Sequence, residues 1–114
     1  MLDDIRINDQ LSIITGDPQG IVINYLANKE AGVLDVFNIS LFFSSVKSML
    51  ENLEQNQPWK NSEQTLVVFG DSEEITLTFR MQGPPFQDVT VVLDENASKN
   101  FINEMLNIAD SKFK

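Results

Sequence analysis

The 114-residue chain has no histidine and no cysteine. Those absences remove the usual neutral-pH acid–base group, the thiolate nucleophile and the commonest soft-metal ligands. Without cysteine there is no disulfide framework, and the redox compartment leaves no mark on the composition. Basic residues are scarce: eight Lys and Arg face 17 Asp and Glu, a formal net charge of −9. Nucleic acids are bound mainly through Lys and Arg on phosphates, so a nucleic-acid ligand is not expected, nor is an anionic membrane surface. No apolar run approaches the ~18 residues of a membrane span. The acidic start, Met1-Leu2-Asp3-Asp4, lacks the basic and apolar regions of a signal peptide, so a cytoplasmic location is expected. The sequons Asn38-Ile39-Ser40 and Asn96-Ala97-Ser98 then read as chance matches in an Asn-rich chain.

Hydrophobic residues make up 42% of the chain, including eight Phe. A domain of this length buries roughly 65% of its unfolded surface, enough to fold without metal or disulfide. The length suits a single domain spanning residues 1–114.

The first third alternates as short strands do. Ile5 and Ile7 alternate with Arg6 and Asn8, and Leu11 and Ile13 flank Ser12. Ile21 to Leu26 is rich in β-branched residues and follows the turn cluster Gly16-Asp17-Pro18-Gln19-Gly20. Lys29-Glu30-Ala31-Gly32 is a second break, and Val33 to Phe37 is a further strand candidate. The period then changes. Ile39, Phe42, Phe43, Val46, Met49, Leu50 and Leu53 recur at three- and four-residue spacing, predicting a helix over about 39–54 with Asn38 or Ser40 as N-cap. Pro58 lies beyond its end.

A polar linker holding Pro58, Trp59 and Lys60 leads to three strands. Leu66 to Phe69 reads as a strand buried on both faces. From Glu74 to Met81 the alternation is strict, with Ile75, Leu77, Phe79 and Met81 on one face. The turn Gly70-Asp71-Ser72-Glu73 and the stiffer connection Gly83-Pro84-Pro85-Phe86 join these strands and Asp88 to Leu93 into an antiparallel meander. Asp94, Glu95 and Asn96 supply N-cap candidates and favourable charge for a final helix. Ala97, Phe101, Ile102, Met105, Leu106 and Ala109 form its apolar stripe. The fold class is therefore α+β: one antiparallel sheet of about five or six strands with two helices on one face, in the order β-β-β-α-β-β-β-α.

No catalytic constellation accompanies this fold. Ser44 and Lys47 lie one turn apart on a polar helix face, and a Ser–Lys pair there reads as ordinary solvated surface. Asp71, Glu73 and Glu74 at one turn and Asp94 and Glu95 before the last helix are paired acids, and turns carry acids because turns are exposed. Asp71-Ser72-Glu73-Glu74 lacks the ligand spacing of an EF-hand loop. No P-loop, Rossmann glycine pattern or HExxH occurs. No catalytic residue, cofactor or metal site is expected, and the chain is not expected to be an enzyme.

What remains are interaction features. The acids Asp71, Glu73, Glu74, Asp94 and Glu95 suit a basic protein partner, since opposite potentials steer encounter. Trp59 and Phe86 are candidate anchors, Phe86 because a stiff loop presents a side chain at little entropic cost. For Trp59 the alternative is a lid packed on a sheet edge. The polar face of residues 74–81 is a further candidate surface.

From Phe37 through Leu53, then Leu66 to Phe79, then Val89 to Ile108, the chain resembles the WapI-type immunity proteins of bacterial toxin systems. In those an apolar-striped helix precedes an antiparallel meander and a closing helix introduced by an acidic turn. The resemblance implies a non-enzymatic protein that occludes the active site of a basic toxin. The alternatives are an acidic secretion-type chaperone, which would expose apolar patches to a client, and a phage-encoded inhibitor of a host protein.

Overall fold

The structure is a computed structural model that describes residues 3–28, 34–80 and 88–113. Two compact units make up the chain, Met1–Phe42 and Phe43–Lys114. Four strands form the first: β1 (Asp3–Arg6), β2 (Leu11–Thr15), β3 (Gly20–Asn28) and β4 (Leu34–Phe42). They pair antiparallel in chain order. The β1–β2 turn is held by Asn8, whose Oδ1 accepts from the backbone N–H groups of Gln10 at 2.9 Å and Leu11 at 2.7 Å. The register Ile5↔Ile13↔Ile23↔Ile39 and Leu11↔Tyr25↔Phe37 puts the large apolar side chains on one face. Leu11, Ile13, Ile21, Ile23, Tyr25 and Leu41 of that face are buried. The opposite face carries Arg6, Asn38 and Ser40 together with exposed Val36 and Phe42.

The helix predicted over 39–54 begins instead at Phe43. Residues 34–42 pair with all of β3, from Gly20↔Phe42 to Asn28↔Leu34, so Asn38 and Ser40 lie within a strand and are not caps. The sequence here satisfies two periods: Ile39, Phe42, Phe43 and Val46 fit a helix, while Phe37, Ile39 and Leu41 alternate as a strand does. Nine residues of ladder and a buried apolar face decide for the strand.

The second unit contains α1 (Phe43–Glu54), β5 (Trp59–Lys60), β6 (Leu66–Gly70), β7 (Ile75–Arg80), β8 (Asp88–Leu93) and α2 (Glu95–Phe113). Asn56, at φ 57°, ends α1 in the left-handed conformation that Asn tolerates better than most residues. Asn52 Nδ2 then donates to the Pro58 carbonyl at 3.0 Å, fastening the departing chain. Strands β5 to β8 form a second antiparallel sheet in chain order. Its registers Leu66↔Phe79↔Val89, Val68↔Leu77↔Val91 and Gly70↔Ile75↔Leu93 gather one apolar face. Here α1 contacts β5 and β6, α2 contacts β8, and the helices contact each other. Val46, Met49 and Leu53 of α1 and Ala97, Phe101 and Met105 of α2 are their buried apolar residues.

The molecule is thus α+β, with the expected order of strands, helix, strands and helix. Among the described residues it has eight strands in two sheets, not five or six in one. The candidate strand at Val33 to Phe37 is realised as β4 and runs on to Phe42 through residues whose spacing also suits a helix, and β5, two residues long, is too short to carry any period. Leu66 to Phe69 is buried on one face only, since Phe69 stands 47% exposed. The expected connection Gly83 to Phe86, the break at 29–32 and Met81 lie outside the described residues. Among the described residues no helix is long and apolar enough to cross a membrane.

Candidate functional site

The second sheet has an open face. Val67, Phe69, Thr76, Thr78, Arg80, Asp88, Thr90 and Val92 alternate with the buried set, and none of them is buried. Thr78 and Thr90 hydroxyls approach to 3.4 Å, and Arg80 Nε lies 3.6 Å from Asp88 Oδ2. Both pairs are exposed and contribute little to stability. Phe69 and Val92, 47% and 57% exposed, flank Thr76 in register on this face.

Beside these apolar residues the fold assembles the acids. In a meander the start of β7 lies next to the end of β8, and Ile75 pairs with Leu93. The β6–β7 turn and the first residues of α2 are therefore neighbours. As a result Asp71, Glu73, Glu74, Asp94 and Glu95 all line one depression of about 750 Å³, together with Phe69, Thr76 and Val92. Five acids read as two separate clusters along the chain occupy one end of the sheet.

Asp71, Asp94 and Glu95 are held by local chemistry. Asp71 Oδ1 accepts from the N–H groups of Glu73 at 2.9 Å and Glu74 at 3.2 Å, while its own N–H donates to the Glu74 carbonyl at 3.0 Å. Gly70 enters this turn at φ 134°, and a Cβ there would collide with the Glu74 carbonyl oxygen. Asp94 is the N-cap of α2: its Oδ1 accepts from Ala97 N–H at 2.8 Å and its carbonyl from Ser98 N–H at 2.8 Å. Glu95 accepts from Lys99 Nζ at 2.9 Å one turn along the helix. That hydrogen bond raises the Lys99 pKa above its ordinary value, with Coulombic help from Glu95 and Glu73.

Among the described residues no three acids converge closely enough to hold a metal ion. The carboxylates form a rim of negative charge, not a cage. Trp59 is 6% exposed on the covered face, paired opposite Val68 on β6, so it is a packed lid rather than an exposed anchor. Phe86 lies outside the described residues. Sequence reading missed Phe69 and Val92, although strand alternation places both on the same face as Thr76 and Thr78.

No family model, curated protein or solved structure matches the chain. An acidic rim beside two exposed apolar side chains on a sheet face can receive Lys and Arg side chains and an apolar group together.

Proposed function

We propose that this chain is a non-enzymatic binding protein that neutralises a basic protein partner, in the manner of an immunity or inhibitor protein, by covering the partner's functional surface. The gathering of five acids around one depression, beside exposed Phe69 and Val92, is the observation that carries this reading. Like charges lining one depression repel one another wherever they come within the ~8 Å screening length at physiological salt. Partner Lys and Arg side chains would relieve that repulsion, and the apolar pair would supply contact area that hydration does not oppose. A toxin whose groove binds phosphate fits the pattern, with the carboxylates standing in for phosphates.

The test uses the chain as affinity bait against extract of its native host, beside a Glu74→Lys/Glu95→Lys variant of equal thermal stability. The expected result is a basic protein that elutes with salt and binds the variant about tenfold or more weakly. A partner that is acidic, or one held equally by both baits, overturns the reading.

A further inference from the structure

On each helix of the second unit the apolar stripe is wider than the arc that is buried. Val46, Met49 and Leu53 are buried in α1, and Leu50 adds a fourth apolar residue on one flank. In α2, Ala97, Phe101 and Met105 are buried, while Ile102, Leu106 and Ala109 extend the stripe sideways; Leu106 is 44% exposed. The two flanks line one groove of about 600 Å³, whose apolar lining includes Leu50, Leu53, Ile102, Leu106 and Ala109. Helical spacing explains the alignment: Lys47, Leu50, Glu51 and Glu54 share one side of α1, and Ile102, Leu106, Ala109 and Asp110 one side of α2.

The groove has a charged rim of one dominant sign. Glu51, Glu54, Asp71 and Asp110 line it, with Lys47 the cation among its lining residues. Asp71 also lines the acidic depression, so groove and depression meet at that residue. A purely apolar occupant would leave those carboxylates unmatched, and a purely basic one would leave the apolar lining wet. An amphipathic helix whose apolar face carries Lys or Arg at its borders satisfies both. From Lys47 to Glu54, α1 gives the groove a wall about 12 Å long, enough for apolar anchors at i, i+3 or i+4 and i+7.

We propose that the α1–α2 groove seats a basic amphipathic helix of the partner, next to the surface that meets the acidic depression. This rests on the reading that the partner is a basic protein, and it adds where and how part of that partner docks.

The test titrates a labelled synthetic peptide of Leu and Lys, roughly 14 residues long with Leu at helical spacing, into the full chain. Controls are the same composition in scrambled order and the Leu/Glu analogue. Amide shifts should move at Leu50, Glu51, Leu106 and Asp110, and the scrambled and Glu peptides should bind about tenfold or more weakly. Leu106→Glu is the decisive variant. It adds a negative charge, so mere attraction between an acidic protein and a basic peptide would hold or tighten, whereas seating in the groove should weaken about tenfold or more. Because Leu106 is already part-exposed, an unchanged melting curve is the check that the variant folds. Glu74→Lys/Glu95→Lys should leave the peptide shifts in the groove.

Unweakened binding to Leu106→Glu, shifts confined to the open sheet face, or no binding at all overturns the groove proposal while leaving the test of the depression untouched. A self-associated chain that Leu106→Glu makes monomeric also overturns it, since the groove would then belong to a second copy. Conversely, groove binding with partner capture indifferent to Glu74→Lys/Glu95→Lys overturns only the role of the depression.

Discussion

Ser98 Oγ accepts a hydrogen bond from the backbone N–H of Ile75 at 2.9 Å and donates to the Leu93 carbonyl at 3.2 Å. One fully buried hydroxyl thus ties α2 to the first residue of β7 and the last of β8. Both acid-bearing segments leave the sheet at that point, so the geometry of the depression hangs on this side chain. Ser98→Ala would leave a buried N–H without its partner. The expected cost is about 1–3 kcal/mol, read as a lower urea midpoint with unchanged slope. A variant as stable as the parent would show that Ser98 is not the clasp.

Gly70 is constrained by backbone conformation and by space at once. At φ 134° an L side chain is strained, and its Cβ would meet the Glu74 carbonyl. Gly70→Ala should cost about 1–3 kcal/mol and displace the turn from Asp71 to Glu74. Thermal melting gives the cost, and amide shifts of residues 71–74 report the displacement. If both stay at parental values, the turn is not under this constraint.

Much of the second sheet was legible in the chain because one face is buried and the other is not. Ile75, Leu77 and Phe79 against Thr76, Thr78 and Arg80 is a two-residue period with no competing interpretation. The boundary at Phe43 was not legible, since Ile39 and Phe42 serve helical spacing and strand alternation equally well and only pairing with β3 separates them. Trp59 sat in a polar linker with no period around it, and β5 exists because Val68 offers it a ladder. The joining of the acids was hidden differently. Glu74 and Asp94 are twenty positions apart, and only the register Ile75↔Leu93 makes them neighbours.

Alkaline pH should destabilise the first unit through Tyr25. Burial pushes its phenol above the ordinary value of 10.0, because the ionised form is desolvated. The folded state then holds this proton more tightly than the unfolded chain does. Stability from this group is fully present below pH 10 and falls as pH rises through the unfolded and then the folded pKa. Lys99, also raised, adds a loss of the same sign above its ordinary 10.5, through the bond to Glu95. Urea midpoints measured from pH 8 to 11 should decline, and Tyr25→Phe should flatten the decline more than Lys99→Met does. An undiminished slope in Tyr25→Phe would assign the effect elsewhere.

Asp94 separates structure from recognition most cleanly, since it caps α2 and also lines the acidic depression. Asn caps a helix about as well as Asp, so Asp94→Asn keeps the acceptor for Ala97 N–H while removing the charge. Asp94→Ala removes both, at an expected cost of about 0.5–2 kcal/mol. Thermal melting should therefore rank Asn close to the parent and Ala clearly below it, with a small deficit for Asn from the lost charge at the helix N-terminus. Binding to a basic partner should rank differently: both substitutions weaken it, because both delete a carboxylate. If Asp94→Asn binds like the parent while Asp94→Ala does not, Asp94 serves the fold alone, and the attraction must come from Asp71, Glu73, Glu74 and Glu95.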